Sequence, residues 1–153
     1  MSNPIASNPY AKYLGDLDPL IVLSETASRL AAIDPASYAT PWAPGKWTYG
    51  QIIAHMADCE VAFAFRLRQA AAEDHYVVQP FDQDRWADSY STADPAVALA
   101  VFTSVRTWML AFLRALPPET FDKPVTHPER GEITFRTIVE IIAGHDGNHL
   151  AQL

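Results

Sequence analysis

Two histidines, His145 and His149, stand four residues apart near the end of the chain, in a stretch that reads IIAGHDGNHL from residue 141. In an α-helix this spacing places both imidazoles on one face, one turn apart. Ile138 and Ile142 share that face, so the pattern predicts rings that point into packed side chains. A buried ring nitrogen without a partner costs roughly 1–3 kcal/mol, whereas two imidazoles one turn apart can bind a divalent metal such as zinc. The chain must therefore fold so that both rings acquire partners.

The periodicity of apolar residues predicts an all-α fold of four amphipathic helices. Helix starts follow Asp18-Pro19, a Thr48 to Gln51 capping box, Asp94-Pro95 and Thr134. The predicted helices cover residues 18–32, 48–72, 94–116 and 134–153. We expect residues 1–16 to form an arm on the surface of this four-helix bundle, and the sequence suggests no strand. The connection over residues 73–93 is long, which is uncommon in compact domains and often functional.

A third histidine, His55, lies on the inner stripe of the second helix. It stands about seven residues inside that helix, or roughly 10 Å at the rise of an α-helix. The midpoint of His145 and His149 lies about six residues from the end of the chain, or roughly 9 Å. If the second and fourth helices are antiparallel, the three rings therefore share one level of the bundle.

Three neutral imidazoles that leave coordination positions open are typical of a catalytic metal site. Zinc and nickel are the first candidates for the ion, with iron and manganese as alternatives, since imidazole binds all of them. The alternative is that His55, His145 and His149 are core histidines whose partners are carboxylates or backbone groups.

Three segments carry a resemblance to a known family. The stretch GKWTYGQIIAHMAD, residues 45–58, resembles the W-(S/T)-x-x-(E/Q)-x-x-x-H-x-x-D start of the second helix in DinB/YfiT-like proteins. AGHDGNH, residues 143–149, resembles the closing H-x3-H helix of that family, and PFDQDRW, residues 80–86, resembles the crossover segment of its YfiT branch. The chain stops at Leu153, where relatives usually continue, which predicts a more open site or a shortened chain.

The resemblance implies a bundle in up-down-down-up order, with a long crossover between the second and third helices, in a chain that commonly forms a homodimer. It implies a divalent metal on His55, His145 and His149. Family members are described as metal-dependent hydrolases or as thiol-dependent transferases and isomerases that use low-molecular-weight thiols. The family name implies no DNA binding.

Several other side chains are candidates for roles beside the metal. Asp82 in the crossover is the candidate acid or base, although an Asp in a turn after Pro80 is the simpler interpretation. Asp58, Glu60 and Glu140 could accept a hydrogen bond from the imidazole nitrogen that does not bind the metal, and so fix its tautomer. Each could equally be a solvated charge on a helix surface. Cys59 lies one turn after His55 and is more often a small core residue than a ligand or nucleophile. We expect His75 and His127 on the surface, and Trp86 could line the mouth of the site.

Composition narrows the range of partners. A net charge of −7, with the Lys and Arg residues scattered, argues against a nucleic-acid partner and against an anionic membrane surface. We also find no signal peptide and no apolar segment of about 20 residues. The single cysteine excludes an internal disulfide. We therefore expect a single-domain cytoplasmic protein that acts on a small molecule.

Two further hypotheses compete with that of an enzyme that activates water or a thiol. One is a non-catalytic bundle that binds a metal or another ligand for stability or sensing. The other is a metal-free scaffold.

Overall fold

The computed structural model describes residues 7–153 and is mostly helical. Its helices are α1 (Ala11–Leu14), α2 (Pro19–Ala31), α3 (Tyr49–Ala72), α4 (Gln83–Ala87), α5 (Pro95–Ala115) and α6 (Phe135–Leu150). Short 3-10 turns lie at Pro35–Ser37, Tyr90–Thr92 and Pro118–Asp122, and the strands are β1 (Tyr76–Val77), β2 (Pro124–His127) and β3 (Gly131–Thr134). Helices α2, α3, α5 and α6 confirm the four predicted long helices.

A side-chain cap fixes the start of each long helix, as the sequence predicts. The Thr48 hydroxyl accepts a hydrogen bond from the Gln51 amide at 3.2 Å, and the Gln51 side chain accepts one from the Thr48 amide at 2.9 Å. This capping box satisfies two amide groups that the first turn of α3 would otherwise leave unpaired. Asp18, Asp94 and Thr134 cap the other three. The starts are local features, so they could be read from the chain.

The four long helices form a bundle in up-down-down-up order. Helix α3 packs between α5 and α6, and α2 packs against the same two helices from the other side. Pro95 lies against Gly50, and Arg68 lies over the Phe112 ring, so α3 and α5 run parallel. Helices α3 and α6 are antiparallel, because His55 near the start of one meets a histidine near the end of the other. The order implied by the family resemblance is therefore confirmed.

A small sheet corrects the expectation that the chain contains no strand. β1 pairs in parallel with β2, and β2 pairs antiparallel with β3. The tight turn into β3 uses Gly131 at φ 74°, a conformation that glycine adopts without strain. Strands of two to four residues are too short to show the alternation that identifies a strand in a sequence. The crossover also contains α4, which the sequence analysis did not predict.

The part of the expected N-terminal arm that the structure describes, residues 7–16, contains helix α1 and is mostly exposed, while residues 1–6 lie outside the described residues. Helix α1 packs against α6. The Leu14 side chain is buried, and the backbone of Tyr10 and Tyr13 approaches Gly144 and Gly147 closely. A missing Cβ at both glycines makes that approach possible. The segment therefore covers one side of the helix that carries two of the predicted ligands.

By length and composition, α5 could cross a membrane. It has 21 residues and a mean hydropathy of 1.7 over its most apolar window. The expectation that no segment reaches this length and apolarity is therefore wrong. In this fold α5 packs against α2 and α3, and its Arg106 is almost completely buried. The expected absence of a membrane partner and the cytoplasmic location stay predictions.

Candidate functional site

The structure brings the three predicted histidines together. Ring centroids of His55 and His145 lie 5.1 Å apart, those of His55 and His149 4.7 Å, and those of His145 and His149 4.6 Å. All three side chains are buried. Two rings come from the late part of α6 and one from the early part of α3, so the antiparallel packing of these helices creates the cluster.

Two of the nitrogens approach each other directly. The Nε2 atoms of His55 and His145 lie 3.0 Å apart. Two nitrogens bound to one tetrahedral zinc, each at about 2.05 Å, stand about 3.3 Å apart. The observed separation is close to that value, so the pair fits a shared divalent ion. The same distance also suits a hydrogen bond in which one Nε2–H donates to the other nitrogen.

Neighbouring polar groups orient two of the rings. The Nδ1 of His149 lies 2.9 Å from Oε1 of Gln152, a contact that suits the tautomer with the proton on Nδ1 and the lone pair on Nε2. Metal-binding histidines are commonly oriented by such a second hydrogen bond. The Tyr90 hydroxyl lies 3.5 Å from Nδ1 of His55. The contact with Gln152 thus suits ligation through Nε2 of His149.

The environment keeps the imidazoles neutral. Burial lowers the pKa of His55 to about 3, and repulsion from the His149 ring in its protonated form adds to this effect. Burial also lowers the pKa of His145 well below its ordinary value, and it lowers that of His149. Within residues 7–153, the buried Nδ1 of His145 has no hydrogen-bond partner. Neutral rings with available lone pairs are what a divalent cation needs as ligands.

Cys59 joins this cluster, which the sequence analysis considered the less common case. Its Sγ lies 3.6 Å from Nε2 and 3.7 Å from Nδ1 of His55. Ligand atoms of His55, Cys59 and His145 all lie within 4.8 Å of one another. Burial raises the pKa of the Cys59 thiol to about 12. The described residues thus offer a thiol donor beside the imidazoles, held in its neutral form.

A buried ion network lies next to the cluster, and the sequence analysis did not predict it. The Arg106 guanidinium donates to both carboxylate oxygens of Glu60, at 2.8 and 2.7 Å, and to those of Asp146, at 2.6 and 3.3 Å. Thr26 donates to Asp146 at 2.6 Å, and Arg106 also donates to the Leu23 carbonyl at 3.0 Å. The network joins all four long helices. Asp146 stands between the two histidines of α6, so the network fixes the rotation of that helix.

One feature of the sequence does indicate this network, namely the position of Arg106. In the sequence Arg106 is one of the scattered charges, although the buried Phe102, Leu110 and Leu113 share its face of α5. Burial disfavours its charge, but Asp146 and Glu60 outweigh that effect and raise its pKa. A lone Arg in an apolar stripe predicts a buried carboxylate partner. The predicted role of Glu60 as a partner of the imidazoles is wrong, because both of its oxygens bind Arg106.

Asp82 does not lie at the imidazole cluster. Its carboxylate caps α4 by accepting a hydrogen bond from the Arg85 amide at 3.1 Å. It also forms an exposed ion pair with Arg85 at 3.6 Å, and its side chain is 60% exposed. The turn interpretation, which the sequence analysis rated as simpler, describes this geometry. The catalytic role of Asp82 receives no support from its position.

The remaining candidate residues do not contact the imidazole cluster in the same way. Burial raises the pKa of Asp58 and a hydrogen bond with Tyr90 opposes this shift, so Tyr90 connects Asp58 with His55. Glu140 lines a different groove, of about 680 Å³, among residues of α2, α5 and α6. His75 is exposed and pairs with Glu132 at 3.1 Å. The crossover thus supplies Tyr90, not Asp82, to the cluster.

A cavity of about 130 Å³ opens beside the imidazoles. Its inner wall includes His145 and Cys59, and its outer wall includes Arg66, His127 and Arg130. Phe81 from the crossover lines it, and Trp86 stacks on Phe81 with ring centroids 4.6 Å apart. His127, which we expected on the surface, is partly exposed and lines this cavity. A small molecule in this cavity would contact the side chains at the edge of the cluster.

The family model described as the DinB superfamily matches residues 21–153. The chain belongs to the DinB superfamily. This match covers the four long helices, apart from the first two residues of α2, and all three histidines, and it confirms the resemblance that the sequence motifs indicate.

Relatives in this family have names that refer to a metal. A protein from Oceanobacillus iheyensis, named "putative metal-dependent hydrolase", is 31% identical over 115 residues, which cover 74% of this chain and 67% of that protein. YfiT from Bacillus subtilis, with the same designation, is 28% identical over 117 residues, covering 74% of this chain and 66% of that protein. The buried cluster of histidine and cysteine side chains, residue types that commonly ligate metals, agrees with these names.

Two solved structures resemble the fold. The structure of YfiT from Bacillus subtilis, described as a probable metal-dependent hydrolase with an unusual four-helix bundle topology, matches with a TM-score of 0.78 and 26% identity. The match covers 88% of this chain and 81% of that one. A mycothiol-dependent maleylpyruvate isomerase matches with a TM-score of 0.69 and 16% identity, over 95% of this chain and 60% of that one. This second likeness extends to the fold alone.

Proposed function

We propose that the chain is a metal-dependent enzyme in which His55, His145 and His149 hold a divalent ion, zinc or nickel. The reaction is either the hydrolysis of a substrate or the transfer of a thiol to a substrate. The observation that carries the proposal is the convergence of three buried, neutral imidazoles, with two Nε2 atoms 3.0 Å apart. When bound, such an ion supplies Lewis acidity that lowers the pKa of a water or thiol ligand. The names of the relatives support metal dependence.

The residues of this chain have separable tasks in that proposal. Gln152 holds His149 in the tautomer with a free Nε2 lone pair. The Arg106 network holds α6 in place, so that His145 and His149 keep their positions against α3. Tyr90 and Trp47 pack against the His55 ring and shield it from water. Ligands placed by such a rigid framework lose little entropy on binding an ion.

Hydrolysis and thiol transfer use the same arrangement of side chains, so a reaction must separate them. Metal-loaded protein is incubated with a low-molecular-weight thiol and monochlorobimane, and in parallel with ester and amide substrates. We expect one of these conversions to depend on added metal and to fall by roughly 100-fold or more in His149→Ala, because loss of a ligand removes the ion.

The matched control is His75→Ala, which removes an exposed histidine that pairs with Glu132, and we expect it to leave the conversion unchanged. A chelator that lowers the melting temperature, with no metal-dependent turnover in either assay, would favour the non-catalytic metal-binding bundle. Conversion that is equal with and without metal would contradict the enzymatic proposal.

A further inference from the structure

The cavity beside the imidazoles carries a concentration of positive charge that is unusual in this chain. Its wall contains Arg66 and Arg130, whereas the chain as a whole has a net charge of −7. Glu129 is the acidic side chain of the lining. Burial lowers the pKa of His127, so this ring is neutral at pH 7. Two guanidinium groups and one carboxylate therefore give the lining a positive balance.

Arg66 is held in place along the route to the cluster. It lies on the same stripe of α3 as His55 and Cys59. Its guanidinium lies 5.2 Å from the Phe81 ring and 5.9 Å from the Phe63 ring, and Nη2 donates to the Gln79 carbonyl at 3.0 Å. These contacts fix the side chain, and the guanidinium has five N–H donors, of which the bond to Gln79 uses one. A guanidinium fixed against aromatic rings is a typical group for recognising a carboxylate.

The second guanidinium approaches from a different part of the chain. Arg130 follows β2 in the hairpin, and it lines the same cavity as Arg66. Burial lowers the pKa of Arg66 and the charge of Glu129 raises it, while Arg130 lowers it again. The two cations are thus close enough to disfavour each other's charge. An anion between them would relieve that repulsion.

We propose that this cavity binds the carboxylate of a small anionic substrate through Arg66 and Arg130, with the reacting end of the substrate toward His145 and Cys59. The volume of about 130 Å³ limits the enclosed part of the substrate. A cavity of about 150 Å³ holds one benzene ring, so only a few non-hydrogen atoms fit here. This inference rests on the proposed function, since the imidazole cluster is the place where the substrate reacts.

The test compares two probes of equal size, mercaptoacetate and its neutral amide, mercaptoacetamide. Binding is measured by ligand-detected NMR on chelator-treated protein, and by the near-ultraviolet thiolate-to-cobalt band on cobalt-loaded protein. We expect mercaptoacetate to bind roughly tenfold more tightly than the amide in both forms, because only the carboxylate accepts charge-assisted hydrogen bonds.

Three variants assign that preference to the cavity. Arg66→Gln removes it, whereas Arg68→Gln, an exposed Arg on another face of α3, retains it. Glu129→Gln increases it about threefold, because a competing negative charge is lost. Arg130→Gln provides a second loss variant if Arg66→Gln does not fold.

Equal binding of the two probes, or a preference that survives both Arg66→Gln and Arg130→Gln, would overturn the carboxylate assignment. Failure of cobalt to bind would instead overturn the proposed metal site, and the NMR arm on chelator-treated protein would still decide the question of the anion. The two failures are therefore distinguishable.

Discussion

At the scale of single residues, the site consists of neutral rings above a charged network. The imidazoles of His55, His145 and His149 are buried and their pKa values are lowered. Directly beside them, Asp146 belongs to a buried ion pair with Arg106 at 2.6 Å. This network sets one guanidinium against two carboxylates, and it acts on the rings beside it: Arg106 adds to the lowering of the His145 pKa, whereas Asp146 opposes the lowering of the His149 pKa.

The buried pair predicts a large loss of stability on truncation of Arg106. Arg106→Met leaves two carboxylates buried without a counter-charge, which costs about 3–5 kcal/mol of the free energy of unfolding. Urea denaturation followed by circular dichroism measures this change. The control is Arg85→Met, which removes an exposed pair at 3.6 Å and should cost about 0–1 kcal/mol. Similar losses in the two variants would contradict a large contribution of the network to the free energy of unfolding.

The histidines predict that metal-free protein loses stability in acid. Below about pH 6.5 the unfolded chain binds protons that the folded chain excludes, since the folded pKa of His55 is about 3. Stability is therefore fully present above about pH 6.5 and falls as the pH falls toward 3, by up to roughly 1.4 kcal/mol per pH unit for each histidine. Urea midpoints of chelator-treated protein between about pH 7 and about pH 4 measure the slope.

Two variants separate the contribution of His55. His55→Gln should reduce the dependence of the free energy of unfolding on pH, because the unfolded variant has one histidine fewer to protonate. His75→Gln, at an exposed site, should keep the slope of the unchanged protein. A slope that is identical in His55→Gln and in the unchanged protein would show that this ring titrates freely in the folded state.

At the scale of elements, the site depends on how α1 lies against α6. A Cβ added at Gly144 would lie 2.7 Å from Cβ and 2.8 Å from the carbonyl oxygen of Tyr10. The Tyr10 ring also contacts His145, with ring centroids 5.4 Å apart. Close packing between these two helices thus covers one side of the imidazole cluster.

Gly144→Ala should therefore displace α1. The substitution improves helix propensity by about 1 kcal/mol, but contact with a backbone oxygen at 2.8 Å cannot be relieved by a side-chain rotation. We expect faster tryptic cleavage after Lys12, which lies within α1, as the measured result. Asn148→Ala on the same helix is the control and should leave the cleavage rate unchanged. Equal rates in the two variants would mean that α1 does not depend on the glycine.

Some of the structural elements could be predicted from the sequence and others could not. Thr48 and Gln51 determine the start of α3 through neighbouring atoms, so a local pattern was sufficient. The pairing of Tyr76 in β1 with Val125 in β2 joins segments far apart in the chain, and no local pattern indicates it. Antiparallel packing of α3 and α6 was left open by the sequence, yet the level of His55 along its helix was sufficient to anticipate which rings would meet.

Candidate side chains outside the helices were harder to predict. Asp82 has the right chemistry for an acid or base, but its position depends on the path of the crossover, which only tertiary packing determines. That path turns Tyr90 inward and leaves Asp82 exposed. Arg130 reaches the cavity because β2 and β3 form a hairpin, a feature that the sequence analysis did not contain.

At the scale of the whole molecule, the chain is a helical bundle with one concentrated site and one apolar outer face. Exposed apolar side chains lie on α3 and α5, namely Val61, Phe65, Val97, Val101 and Trp108. Such a face is compatible with the homodimer that the family resemblance implies. Dimerisation stays a prediction. The site itself is formed by a single copy of the chain, from residues that meet where α3 and α6 cross.

The most direct test of the central claim is the metal content of untagged protein, measured by elemental analysis for the unchanged chain, His149→Ala and His75→Ala. We predict about one divalent ion per chain in the unchanged protein and in His75→Ala, with a large loss in His149→Ala, because this variant removes one of three ligands. Equal metal content in all three proteins, or no bound ion in any of them, would contradict the three-histidine site.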